Sequence, residues 1–348
     1  MIAKRSKRVV LFKVLTPVLS VILTLLLLEI VIRTLDHFRE KPTKKEKRIA
    51  MIQEAGRLYP PSDRLFTLTL DRERLGHRNY PAMGTSLRDY DYPLLKPEHA
   101  YRILGLGDSF AWGWGVADSR RTTFKYLECW LNADESGQQY EVINCAQPGK
   151  SVKDYEAYVK DYGRAFHPDM VLILYNINDS YLPHASMVVD KRTKDLMLQQ
   201  KDPLSDISRL YHLLKKIIVK KRIHEYTVRH IKEGYFGPEK KQKWGQAQAN
   251  ITEIQKFCRV RQIELVIAIF PLLFELEKTY PFQEEVDEVD RFLTSNRIKT
   301  VNLLPVFKGK EATLLWSSPT DSHPNRVAHR LAAEAIYNFL QDHVFKES

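Results

Sequence analysis

The chain has 348 residues, 44% of them hydrophobic, enough for one large domain or two small ones with a sizeable core. Its formal net charge of +11 suits an anionic partner. The basic residues, however, gather in the first fifty positions and in one later segment rather than among interleaved aromatics, which argues for membrane proximity and against nucleic acid. Three widely spaced cysteines, Cys129, Cys145 and Cys258, make neither a disulfide framework nor a metal-ligand cluster; they read as buried small residues, and no metal or cofactor is expected.

The first element is the apolar run Val9 to Ile32, with Lys13 and Glu29 near its ends, where long side chains reach headgroups. As a helix it would be roughly 36 Å long at 1.5 Å per residue, enough to cross a hydrocarbon core of about 30 Å. The following "RTLDHFRE" lacks a small-x-small cleavage pattern, so the run is read as an uncleaved transmembrane anchor covering residues 1–33, in preference to a removable signal peptide. Basic residues nearly balance across it. The acid-free "KRSKR" before it favours a short cytoplasmic N-terminus and an extracytoplasmic domain at the inner (plasma) membrane.

Residues 34–98 read as a charged connector, "REKPTKKEKR", followed by an irregular lead-in with a short alternating run. After them β-like and helix-like segments alternate, which predicts an α/β fold. The strand candidates are Arg102 to Leu106, Glu141 to Asn144, Met170 to Tyr175, Glu264 to Phe270 and Lys299 to Leu303, short and aliphatic like strands buried on both faces. Ser151 to Phe166 is a predicted helix, capped by Ser151, with Val152, Tyr155, Val159, Tyr162 and Phe166 at helical spacing. Asn325 to Phe345 is another, with Pro324 placed in its first turn and a stripe of Val327, Leu331, Ala335 and Phe339. A parallel sheet flanked by helices presents its chemistry at the carboxyl ends of the strands.

Four loops after strand candidates carry polar groups suited to acyl chemistry. "GLGDSF" follows the first and offers Ser109, which alone reads equally as a nucleophile or a helix cap. "NCAQPG" follows the second, with the Gly149 amide free to approach a ligand closely; "NIND" follows the third, with the Asn178 side-chain amide. Each is also an ordinary turn or cap. "DSHPN" near the C-terminus supplies His323 as a base and Asp321 to orient it, while His329 reads as incidental.

These four blocks, in this order, resemble those of the SGNH hydrolases, or GDSL esterases and lipases. The resemblance covers roughly residues 99–345, and "GDSFAWGWGV" with the "LLLLE" ending of the apolar run is similar to membrane-anchored bacterial members. It implies a three-layer α/β/α sandwich of flavodoxin-like type with a central parallel sheet of about five strands. It also implies a serine hydrolase: Ser109 as nucleophile, His323 as base oriented by Asp321, and an oxyanion hole from the Ser109 amide, Gly149 and Asn178. Two departures stand out. Asn176 occupies a position that is usually glycine, and the acid lies two residues before His323 where Thr320 stands three before it.

Asp108 and Asp179 read as loop-tying and capping acids, and Trp112 and Trp114 as either a pocket wall or core packing. Residues 181–244, with "LYHLLKKIIVKKRIHEYTVRH", look like a basic helical insertion: a lid with solvated lysines, or in a sharper reading a surface for anionic lipid or substrate. Three functions follow. The chain is read first as an esterase removing an O-acetyl or other short acyl group from an envelope polysaccharide or lipid; an acyltransferase using the same residues and a binding module without turnover are the alternatives.

Overall fold

The computed structural model describes residues 2–38, 43–58, 75–80, 85–90, 92–133, 137–180, 204, 207–238, 242–319 and 321–346. They divide into two compact units, residues 1–42 with 187–227 and residues 43–186 with 228–348.

In the first unit α1 (Ile2–Phe38) is one continuous helix. Its stretch Thr16–His37 has a mean hydropathy of 2.4 and none of it is buried by protein, so it is long and apolar enough to be a membrane span or a signal sequence. Hydroxyls within it are satisfied locally, Thr24 on the Ser20 carbonyl and Thr34 on that of Ile30. Glu29 is held too: its carboxylate accepts the Arg209 and Leu210 N–H groups at 2.8 and 2.9 Å, the Ser208 hydroxyl at 3.0 Å and the Arg33 guanidinium at 2.7 Å. An acid in an apolar run is thereby used to cap another helix. Most of the expected insertion between 181 and 206 lies outside the described residues.

The second unit begins with α2 (Lys44–Leu58), in the stretch read from sequence as connector. Its Ala55 is fully buried and Arg48 donates to the Gly115 carbonyl. A hairpin of β1 (Leu75–Tyr80) and β2 (Thr85–Tyr90) follows. β2 is tied to the core by Asp89, which meets the buried Lys125 ammonium at 2.7 Å. Charge inside this lead-in, rather than an apolar period, docks it, which is why its pattern gave no strand signal.

Then come β3 (Ala100–Gly107), the single turn α3 (Ser109–Trp112), α4 (Thr123–Leu131), β4 (Gln139–Asn144), α5 (Val152–Phe166) and β5 (Met170–Asn176). The chain continues through α6 (Arg209–Phe236), which falls within the expected insertion 181–244, then α7 (Trp244–Val260), β6 (Glu264–Phe270), α8 (Gln283–Ser295) and β7 (Lys299–Asn302). It ends with the short α9 (Leu304–Phe307), the small hairpin β8 (Trp316–Ser318) and β9 (Asp321–Pro324), and α10 (Arg326–Leu340). Five strands form one parallel sheet in the order β4-β3-β5-β6-β7. That is the flavodoxin-like doubly wound order, whose switch point lies between β3 and β5. α4 packs with α10, and α5 with α7, as the two helical layers of a three-layer sandwich. Every residue of β5 is buried, as a strand covered on both faces must be.

The two predicted helices form, but in α10 the buried face includes Val327, Ala328, Ala332, Ala333, Ile336 and Leu340, while Leu331, Ala335 and Phe339 of the expected stripe are only half-buried. In α5 all five stripe residues are buried, and the Ser151 N–H donates to Asp154 at 3.0 Å, a capping-box contact. α10 begins at Arg326, so Pro324 ends β9 instead of opening the helix. The cap is Asn325, whose Oδ1 accepts the Val327 and Ala328 N–H groups at 2.8 and 3.2 Å. Cys145 and Cys258 are buried free thiols, whereas Cys129 is half-buried.

His329, on the buried face of α10, accepts the Thr123 N–H through Nδ1 at 3.2 Å, with the Thr123 hydroxyl 2.9 Å away. Burial pulls its pKa down to about 3, with Arg88 and His323 adding to the effect. An unfolded histidine takes up its proton below about pH 6.5, so in that interval the unfolded chain binds more protons and acid destabilises the fold. Between pH 6.5 and about 3 the cost reaches about 1.4 kcal/mol per pH unit. Urea unfolding from pH 7 to pH 4 is therefore expected to show a steeper loss of stability in the wild type than in His329→Gln, with parallel curves above pH 7.

Candidate active site

The site is built where β3 ends. Gly107 has φ 157°, and a Cβ there would lie 2.4 Å from the Ala111 Cβ and 3.0 Å from the Leu174 carbonyl oxygen. Only glycine allows the strand to turn this sharply into α3. Asp108 caps that turn, its Oδ1 accepting the Phe110 N–H at 2.8 Å, and the next residue, Ser109, is left half-exposed at the carboxyl edge of the sheet.

The imidazole of His323 arrives from the other end of the chain. His323 Nε2 lies 2.9 Å from Ser109 Oγ, and His323 Nδ1 lies 2.6 Å from Asp321 Oδ1. The same carboxylate oxygen accepts the His323 main-chain N–H at 3.2 Å. Partial burial works to raise the Asp321 carboxyl, but the hydrogen bonds from the His323 ring and amide outweigh it, and the group titrates below the ordinary carboxylate range. A charged Asp321 fixes the hydrogen on Nδ1 and leaves the Nε2 lone pair facing the serine hydroxyl. The spacing of two residues works because β9 is extended and turns back on β8, so Asp321 and His323 lie on the same face of one strand. Asn325 braces that hairpin: its Nδ2 donates to the Leu314 and Trp316 carbonyls at 2.7 and 3.0 Å.

The Asn178 side-chain amide reaches the same neighbourhood, donating to Asp108 Oδ2 at 3.3 Å, an oxygen that the Ser109 hydroxyl also approaches at 3.4 Å. Asn176, at the position where a glycine was expected, is fully buried and holds this turn. Its Oδ1 accepts the Asn178 N–H at 3.2 Å and its Nδ2 donates to the Phe270 carbonyl at 3.2 Å. Asp179 is buried and accepts the Asn176 N–H at 2.9 Å. Burial, then the neighbouring charge of Asp108, push its carboxyl well above the usual range; Asp108 is raised by burial as well, against the pull of the Phe110 N–H. Gly149 stands in the turn between β4 and α5 with φ 74°, exposed and with open space where a side chain would be. Ser109, His323, Asp321 and Asn178 are thus joined by hydrogen bonds to one another or to Asp108, whereas Gly149 makes no direct bond to them. His329 is a packing residue at the α4 contact.

The supporting roles of Asn176 and Asn325 are not among the expectations drawn from the sequence. Asn325 has a visible signal, an N-cap residue before a helical stripe; Asn176 has none, because its role depends on the Phe270 carbonyl of a neighbouring strand.

Fold and site together define a class: a doubly wound α/β protein with a Ser–His–Asp hydrogen-bonded chain at the carboxyl edge of its sheet, the architecture that the SGNH resemblance implies. No family model matches the chain, and no curated protein sequence matches it. Among solved structures it is similar to a protein described as lipolytic, of the G-D-S-L family, from Desulfitobacterium hafniense, at 13% identity and TM-score 0.41 over 69% of this chain and 99% of that one. It is similar also to the psychrotrophic esterase EstA from a Pseudoalteromonas species, at 15% identity and TM-score 0.42 over 71% and 99%. A third is the acetylxylan esterase Axe2 from Geobacillus stearothermophilus, at 16% identity and TM-score 0.44 over 69% and 94%. At identities and scores this low, the functional reading rests on the side chains themselves.

Gly107→Ala is expected to cost about 2–3 kcal/mol, because the new methyl can be housed only by moving α3 away from β5. Urea denaturation of the purified variant measures it, and a loss below about 0.5 kcal/mol would show that the turn relaxes freely.

Proposed function

We propose that the chain is a serine hydrolase of SGNH type that cleaves a short acyl ester, O-acetyl or similar, through an acyl-serine intermediate. The observation that carries this reading is the unbroken chain Asp321–His323–Ser109, with distances of 2.6 and 2.9 Å.

In this reading Ser109 Oγ attacks the ester carbonyl carbon while its proton passes to His323 Nε2. The negative charge that forms on the carbonyl oxygen meets the Ser109 and Gly149 main-chain amides and the Asn178 side-chain amide. Asp321 stabilises the imidazolium. The tetrahedral intermediate collapses as His323 returns the proton to the departing alkoxide, and the alcohol leaves. Water then gives a proton to the same nitrogen and attacks the acyl carbon; the acid departs and the serine hydroxyl is restored. An alcohol in place of that water would make the protein an acyltransferase, and product analysis separates the two. Asn176 and the two-residue spacing do not favour an inactive binding module, since one steadies the Asn178 turn and the other closes the hydrogen-bonded chain.

We place the protein in the inner (plasma) membrane, anchored by α1 as a single-pass helix with the hydrolase unit on the extracytoplasmic side. The long apolar stretch and the acid-free basic N-terminus support this. A reporter fused after residue 348 that is active only in the cytoplasm would overturn the orientation.

Hydrolysis of simple acetyl esters by the full chain in detergent is expected to fall by about 10⁴–10⁶-fold in Ser109→Ala and in His323→Ala. A fluorophosphonate should label Ser109, as read by peptide mapping. Equal rates in wild type and Ser109→Ala, or a label on another residue, would end the proposal.

A further inference from the structure

We infer that the indole of Trp114 is a subsite for the alcohol half of the ester, and that this half is a pyranose ring. The inference rests on the hydrolase reading above and extends it to the substrate class.

Position decides which half of the substrate meets Trp114. The imidazole that accepts the serine proton must hand it to the leaving alkoxide, so the alcohol oxygen sits within hydrogen-bond reach of His323 Nε2. Groups beside His323 therefore face the alcohol, while the acyl oxygen turns to the Asn178 amide. Two aromatic rings flank the imidazole: Phe110 at 5.4 Å between ring centroids and Trp114 at 6.1 Å. Phe110 is buried, being 5% exposed, whereas Trp114 is 45% exposed and is the ring a ligand can touch.

This exposed ring is held in place. The Trp114 main-chain N–H donates to the Ser109 carbonyl at 3.0 Å, which ties the backbone that carries the indole to the nucleophile turn. Trp112 lies behind it, with ring centroids 5.8 Å apart, and the Arg88 guanidinium sits 4.5 Å from the centre of the Trp112 ring. Arg88 also gathers the Gly113, Val116 and Ala117 carbonyls of the loop, and Arg48 from α2 donates to that of Gly115. Gly115 has φ 80°, and a Cβ there would lie 2.5 Å from the Ser317 Cβ, so the loop is pressed against the hairpin that carries Asp321. A large ring fixed in solvent next to the reacting atoms is preorganised for contact and loses little entropy on binding.

The surroundings select the kind of alcohol. In the described loops that carry Ser109, Gly149, Asn178 and His323, Trp114 is the only large apolar side chain left exposed. One aromatic plate suits the C–H face of a sugar ring, whereas an alkyl chain calls for a continuous apolar groove. A cationic alcohol also stacks on indole, but two guanidinium groups hold this loop and repel it.

The test compares kcat/KM for mono-O-acetylated methyl hexopyranosides, ethyl acetate and phenyl acetate in the full-length wild type, Trp114→Ala and Trp114→Phe. Trp114→Ala is expected to lower the ratio of pyranoside to ethyl acetate rates about tenfold, chiefly through KM, with Trp114→Phe restoring most of it. Equal losses on all three esters, or none on the pyranoside, would overturn the subsite. A loss on phenyl acetate as large as on the pyranoside would overturn the sugar assignment in favour of aryl alcohols. Fluorophosphonate labelling of Ser109 separates the two levels: normal labelling with an unchanged ratio defeats the subsite alone, and a wild type that neither labels nor hydrolyses any ester defeats the hydrolase reading and the subsite with it.

Discussion

The site depends on one contact, the 2.9 Å hydrogen bond between His323 Nε2 and Ser109 Oγ, made by residues 214 positions apart. Nothing local can enforce it. It exists because β3 lies near the middle of the parallel sheet and because the chain, after completing that sheet at β7, turns back through β8 and β9 to the same carboxyl edge. The fold thus joins two rigid bodies, a glycine turn at the end of a buried strand and a hairpin braced on a helix cap, and sets them at hydrogen-bond distance.

Polar residues without a part in the proposed chemistry hold those bodies in register. Asp108 caps α3 and receives the Asn178 amide, so the helix that offers the serine and the turn that offers an amide donor share one carboxylate. Asn176 links that turn to β6, and Asn325 links the base hairpin to α10. Such groups are costly to bury unless each hydrogen bond is made, and once made they leave the surrounding side chains little freedom. At Asn176, where the motif leads one to expect glycine, the buried amide ties the turn to β6 and to the Asn178 N–H.

The lead-in before the sheet is part of the same construction. Arg88 and Arg48 collect carbonyl oxygens from the loop 112–117, and Asp89 reaches the buried ammonium of Lys125. Elements between residues 43 and 90 therefore fix the loop that presents Trp114 beside the imidazole. Connection by charge and main-chain carbonyls carries no periodic signature, so α2 and the first hairpin were read from sequence as connector and irregular chain.

Sequence by itself determined the layer architecture, because strands buried on both faces must be short aliphatic runs and the helices between them must carry stripes; the Met170–Asn176 and Glu264–Phe270 runs and the five-residue stripe of α5 show it. It also determined the chemical types at the site: three motif loops follow their strands directly and a parallel sheet brings such loops to one edge, whereas the Asp321–His323 block lies on β9 of the terminal hairpin. Tertiary structure alone decided the pairing of His323 with Ser109, the closure of the two-residue Asp321 spacing on a β-strand, the burial of Asn176 against Phe270 and the exposure of Trp114 beside a buried Phe110. The reason is physical: periodicity records which face of an element is buried, whereas a hydrogen bond between distant loops depends on where whole elements come to rest.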